Sequence, residues 1–117
     1  MSEFSFEVIK QARGLIIRSK GYLTKEAGNA LETQVKKSVR EQNNRVLFDF
    51  SESPVINSSG MAKLLACIEY IFEQNEGKVA VFGLSLLTKT AFRTAGILLL
   101  VQEVSSEEER ILFFQNP

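Results

Sequence analysis

Two adjacent hydroxyls stand where a loop meets a helix. The stretch Ser53 to Leu65 reads SPVINSSGMAKLL, with Asn57, Ser58, Ser59 and Gly60 at the junction. A serine there has two uses. Its oxygen can accept from the amides that a first helical turn leaves without intrahelical partners, worth about 1 kcal/mol. It can also accept a phosphoryl group, which adds about −1.5 to −2 charges at the end of the helix that tolerates them. A cap needs one oxygen, and Asn57, Ser58 or Ser59 can each supply it. Gly60 costs helix propensity, up to about 1 kcal/mol against alanine. On the sequence alone, Gly60 is expected to leave bare backbone so that another molecule can approach the helix start.

The other reactive side chains offer less. There is no histidine, which removes Ser-His-Asp and Cys-His catalysis. The single cysteine, Cys67, allows no intrachain disulfide and no ordinary structural zinc site. A lone thiol fits a reducing compartment, and Cys67 reads as an inert small residue beside a helix stripe. Asp49 ends a strand. It is a candidate metal ligand or orienter of Ser58, but a carboxylate held by solvent or by its own loop is the weightier reading. Lys89 and Arg93, four residues apart, can hold an anion or simply face water. No glycine-rich phosphate cradle is present. Neither a cofactor nor a metal is expected, and the chain is not expected to be an enzyme.

Fourteen basic and fourteen acidic residues cancel, against the net basic footprint of a nucleic-acid binder. No apolar run approaches the ~20 residues of a membrane span. The amino terminus, MSEFSFEVIK, has no apolar targeting core, so a cytoplasmic protein is expected, without nucleic-acid or membrane partners.

The elements that must position the tetrad follow from periodicity. Phe4 to Lys10 alternates apolar and polar, and Gly14 to Ser19 is β-branched. The two read as a hairpin of strands. From Thr24 to about Gln42, Ala27, Ala30, Leu31, Val35 and Val39 recur at helical spacing, with Thr24 as N-cap and Asn43 or Asn44 as a left-handed end. Arg45 to Phe50 suits a buried central strand. The helical period returns from Ser59 to Gln74, with Met61, Leu64, Leu65, Ile68, Ile71 and Phe72 on one stripe. Lys78 to Gly83 is a strand and Ser85 to Gly96 a helix. ILLLVQEV, residues 97–104, reads as another strand, and SSEEERILFF opens a last helix. There Ser105 or Ser106 caps, and Glu107, Glu108 and Glu109 face the positive end of the dipole. Ile111, Leu112, Phe113 and Phe114 are candidates for packing on the sheet, with part of the cluster left exposed. The order β-β-α-β-α-β-α-β-α calls for an α/β fold in one domain, residues 1–117. Its sheet is mixed but mostly parallel, of about five strands flanked by about four helices.

Three stretches, in order, are similar to one known family. RVLFDFSESPVINSSGMAKLLACIEY resembles the central stretch of STAS domains, the fold of bacterial anti-sigma factor antagonists. There a strand ending in Asp leads through a loop to Asp-Ser-Ser-Gly or Asp-Ser-Thr-Gly at a helix start. RSKGYLT resembles the family's loop into the first helix, with Gly21 and Leu23 matching. GKVAVFGLSLLTKTAFRTAGI resembles the later strand, turn and helix. The resemblance covers nearly the whole chain and implies partner switching. The unphosphorylated antagonist binds an anti-sigma factor that is also a serine kinase. The kinase phosphorylates the first serine of the tetrad, the complex separates, and a serine phosphatase resets the switch. Carried over by position, the phosphoacceptor is Ser58. The docking surface is then formed by Gly21, Tyr22, Leu23, Thr24, Asn57, Ser58, Ser59, Gly60, Met61 and Lys63. Asn57 and Thr24 depart from acidic residues common in the family. The protein is expected as a monomer or weak homodimer. The rival reading is a STAS scaffold or binding subunit of a signalling or transport assembly, never phosphorylated.

Overall fold

The computed structural model describes residues 3–115. The strands are β1 (Ser5–Gln11), β2 (Gly14–Lys20), β3 (Arg45–Glu52), β4 (Lys78–Phe82) and β5 (Gln102–Glu103). The helices are α1 (Lys25–Ser38), α2 (Ser58–Phe72), α3 (Leu86–Thr94) and α4 (Glu107–Gln115). The strands form one sheet in the order β1-β2-β3-β4-β5. Only β1 and β2 pair antiparallel, and the remaining pairs are parallel. The expected hairpin and mixed sheet are therefore present.

Alternation along the strands sends side chains to two faces. Leu15, Ile17, Val46, Phe48, Val79 and Val81 join the core with α1, α2 and α3 on one face. Ile16, Leu47 and Ala80 meet Phe113 and Phe114 of α4 on the other. The last two rings form an edge-to-face pair at 5.0 Å. Phe92 anchors α3 by meeting the Phe50 ring edge-on at 6.0 Å. Ile111 and Leu112 face outward.

Three local expectations are corrected. Residues 97–104 are not one strand: Ile97–Leu99 is a short 3-10 turn after Gly96, and pairing resumes only at Gln102. Only Ile97 of that turn is buried, while Leu99 is 90% exposed, so an apolar run here does not mean a buried strand. Helix α1 stops at Ser38, short of Gln42, because Val39 turns to extended backbone. Neither Asn43 nor Asn44 is left-handed; that conformation falls to Asn75 and Glu76 in the turn before β4. Asn44 instead donates its side-chain amide to the Gln74 carbonyl at 2.7 Å.

The caps follow local chemistry. The Thr24 hydroxyl accepts from Ala27 N as expected. At α4, the Ser106 hydroxyl accepts from Glu109 N, and the Glu109 carboxylate accepts from Ser105 N at 2.8 Å. These contacts hold the Glu109 carboxyl below its ordinary pKa, through the Ser105 amide first and then the Ser105 hydroxyl.

Candidate functional site

The tetrad lies where two loops run side by side at the carboxyl ends of β2 and β3. Gly21 N donates to Glu52 O at 2.9 Å, and Leu23 N to Val55 O at 3.0 Å. Asn57 N donates back to Leu23 O at 3.2 Å. The loop that leads into α1 and the loop that leads into α2 are thus one backbone unit, and both helices start from it.

The cap of α2 comes from Asn57. Its side-chain oxygen accepts from Gly60 N at 2.8 Å. Ser58 and Ser59 open the helix and are both exposed. The Ser58 hydroxyl is therefore available at the surface while the cap is supplied by its neighbour.

The residues expected to form a docking surface divide by depth. Tyr22, Ser58 and Ser59 are exposed, and Gly21, Thr24, Asn57, Met61 and Lys63 are half-buried. Leu23 and Gly60 are buried and shape this surface from beneath. The reason expected for Gly60 is corrected by the same geometry. A Cβ at Gly60 would overlap the backbone carbonyl of Leu23, so its bare backbone serves a contact within the domain. One layer away, a Cβ on Gly28 of α1 would strike Cβ of Lys63. Gly28 lets α1 and α2 approach closely, and Gly60 lets the start of α2 rest on the loop that enters α1. Lys63 then reaches across to Glu32 of α1 at 3.5 Å. Glu32 also takes Lys36 at 3.3 Å, and the carboxyl is held below its ordinary pKa, chiefly by the Lys36 hydrogen bond.

Ser58 also stands at one end of a groove of about 510 Å³. Met61, Ala62 and Leu65 of α2 form one wall, and Ala91 and Thr94 of α3, with Ala95 at its end, the other. No lining residue is charged. Leu86 of α3 is 82% exposed, and Val55 and Leu87 are exposed as well. Sequence reading placed Ser58 and Met61 on a partner surface but did not bring Ala62, Leu65, Ala91, Thr94 and Ala95 to it. The available signal was the spacing of Ser58, Ala62 and Leu65, and of Ala91 and Ala95, which puts each set on one helix face.

Other candidates separate from the tetrad. Asp49 does not orient Ser58: alternation along β3 turns it to the face that carries α4. There it is 7% exposed, pairs with Arg18 at 3.2 Å and accepts from Ser51 N at 2.9 Å. Arg18 also pairs with Glu7, and its pKa is raised, most by the Asp49 hydrogen bond. Lys89 pairs with Glu103 at 3.2 Å. Cys67 is buried, and desolvation pushes its thiol up to about 12, out of reach of nucleophilic chemistry at neutral pH. Among the described residues, no cluster of three or more His, Cys, Asp or Glu side chains could hold a metal. No helix of the described residues is long and apolar enough to cross a membrane.

Comparison with solved structures places this architecture. The chain superposes on the unphosphorylated anti-sigma factor antagonist SpoIIAA with a TM-score of 0.71, at 15% identity over 92% of this chain and 94% of that one. The phosphorylated form of the Bacillus cell fate determinant SpoIIAA gives 0.70 at 18% identity, over 92% and 96% of the two chains. An anti-sigma factor antagonist from Mycobacterium paratuberculosis gives 0.80 at 15% identity, over 97% and 96%. At these identities the likeness shows the SpoIIAA-like α/β fold. No curated protein sequence matches the chain. The family model of the STAS domain matches residues 4–110, and the chain belongs to that family.

Proposed function

We propose that the protein is an anti-sigma factor antagonist-like regulator that acts by phosphorylation-controlled partner switching. Ser58 is the phosphoacceptor, and the unphosphorylated form binds an anti-sigma factor that is also its serine kinase. The observation that carries this reading is the division of labour at the start of α2. Asn57 caps the helix, and the exposed Ser58 hydroxyl stays free for chemistry beside an uncharged groove. A phosphate there sits at the positive end of α2 and leaves the fold intact. Across an interface the same charge must lose its water without a prepared partner, which breaks the complex. The protein itself then needs no catalytic residue and works in the cytoplasm, with a serine phosphatase resetting the switch. The test is incubation with candidate serine kinases and ATP, followed by mass mapping. Incorporation on Ser58, lost in Ser58→Ala, supports the reading; tight binding of the true kinase without labelling opposes it.

Asn57 itself favours a second reading. An amide caps as well as a carboxylate but cannot act as a base toward the Ser58 hydroxyl. On that reading the domain is a STAS scaffold in a signalling or transport assembly, bound through the same surface and never phosphorylated.

A further inference from the structure

Helices α2 and α3 follow the parallel strands β3 and β4, so both begin at the same end of the sheet. Their starts are tied together: the Ser85 and Thr88 hydroxyls both donate to the Pro54 carbonyl, at 2.8 and 3.0 Å. Ser58, Ala62 and Leu65 recur at four and three residues along α2, and Leu87, Ala91 and Thr94 do so along α3. All of these except Leu87 line the groove beside Ser58. Leu87 carries the same face of α3 on toward the start of the helix, and it is 65% exposed.

Polarity and shape together select what this groove can hold. Among the described residues that line it, only Ser58 and Thr94 carry a side-chain oxygen, and none is charged. An extended segment needs main-chain partners, and helical walls have few to spare. A helix satisfies its own main chain and can lie there on side chains alone. The α2 wall from Ser58 to Leu65 is about 10 Å long, some two helical turns. The small side chains of Ala62, Ala91 and Ala95 leave the space between the walls open. The switch names the owner of that helix: a partner that leaves when Ser58 is charged presents there a surface unable to solvate charge. We propose that the groove seats two apolar turns of a helix of the anti-sigma factor kinase. This inference rests on the switch reading and supplies the contact that the switch controls. A phosphate on Ser58 stands at the end of the seat and faces the apolar helix, while Leu87 extends the contact along α3.

The test puts both signs of charge at one position. Ala62 is exposed and one turn beyond Ser58, and Glu and Lys are both good helix formers. Ala62→Glu and Ala62→Lys are expected to melt like wild type. Each is expected to bind the kinase at least ~10-fold more weakly than unphosphorylated wild type does, because either charge is buried without a partner. Leu87→Asp, an acid in the first turn of α3, is expected to keep the fold and weaken binding likewise. Tighter binding by either Ala62 variant makes the occupant a charged surface and overturns the proposal. Unchanged affinity in both overturns it too, even where phosphorylation of Ser58 still releases the kinase. Weaker binding in both, with no effect of phosphorylation, supports the seat and refutes the switch alone. A wild-type dimer in sedimentation that Ala62→Glu converts to monomer assigns the groove to a second copy of the chain and overturns the proposal.

Discussion

The side-chain oxygen of Asn57 accepts from the amide of Gly60 at 2.8 Å, so the cap of α2 is built one residue before the serine that carries the proposed switch. Structure and modification thereby occupy different side chains. Asn57→Ala is expected to cost about 1 kcal/mol, a fall of about 4 °C in melting temperature. Ser58→Ala is expected to stay within about 0.5 kcal/mol of wild type, as surface changes do. Thermal melts of the two variants check this; a larger loss in Ser58→Ala puts the cap on the wrong residue.

Gly60 is constrained by backbone. A methyl group there would overlap the Leu23 carbonyl, which itself accepts from Asn57 N. Gly60→Ala therefore must separate α2 from the loop that enters α1. Overpacking of this kind costs about 1–3 kcal/mol, despite the better helix propensity of alanine. A lower urea midpoint, with an unchanged slope, is the expected result.

Phe92 is fully buried and meets Phe50 edge-on, which makes it the main tie between α3 and the sheet. Phe92→Ala is expected to cost about 3–5 kcal/mol. Hydrogen exchange measured on this variant is expected to rise first in α3, whose Ala91 and Thr94 line the groove beside Ser58.

Cys67 makes stability depend on alkaline pH. Its folded pKa is raised to about 12, by desolvation first, above the 9.0 of the free thiol. The folded state keeps its proton where the unfolded state gives it up. The contribution is full below pH 9.0 and is lost progressively as pH rises toward about 12. The expected slope is about 1.4 kcal/mol per pH unit at most. Urea melts at pH 8 to 10.5 are expected to show it, and Cys67→Ala to remove it.

The topology was legible because the period changes cleanly between strands and helices. Phe6 and Val8 alternate; Leu31 and Val35 recur four apart. Leu98 to Leu100 misled because an apolar run has no period, and only tertiary contact decides whether it is a strand or an exposed turn. Gly60 misled for a related reason. The sequence shows that a side chain is missing but not which neighbour, here the distant Leu23, fills the space. Asn57 and the two serines were legible as a set of possible caps, and the choice among them needed coordinates. The groove wall that follows α2 was legible only as spacing, since Ala91 and Ala95 share a helix face but look like any helical alanines until α2 is placed beside them.

The central claim is that charge on Ser58 controls partner binding while leaving the fold alone. The most direct measurement is the affinity of the anti-sigma factor kinase for wild-type protein and for protein phosphorylated on Ser58, with melting curves of both. The account predicts at least ~100-fold weaker binding after phosphorylation, about 2.7 kcal/mol, and the same melting temperature within about 2 °C. Equal affinity of the two forms, with the phosphate verified on Ser58, would contradict it.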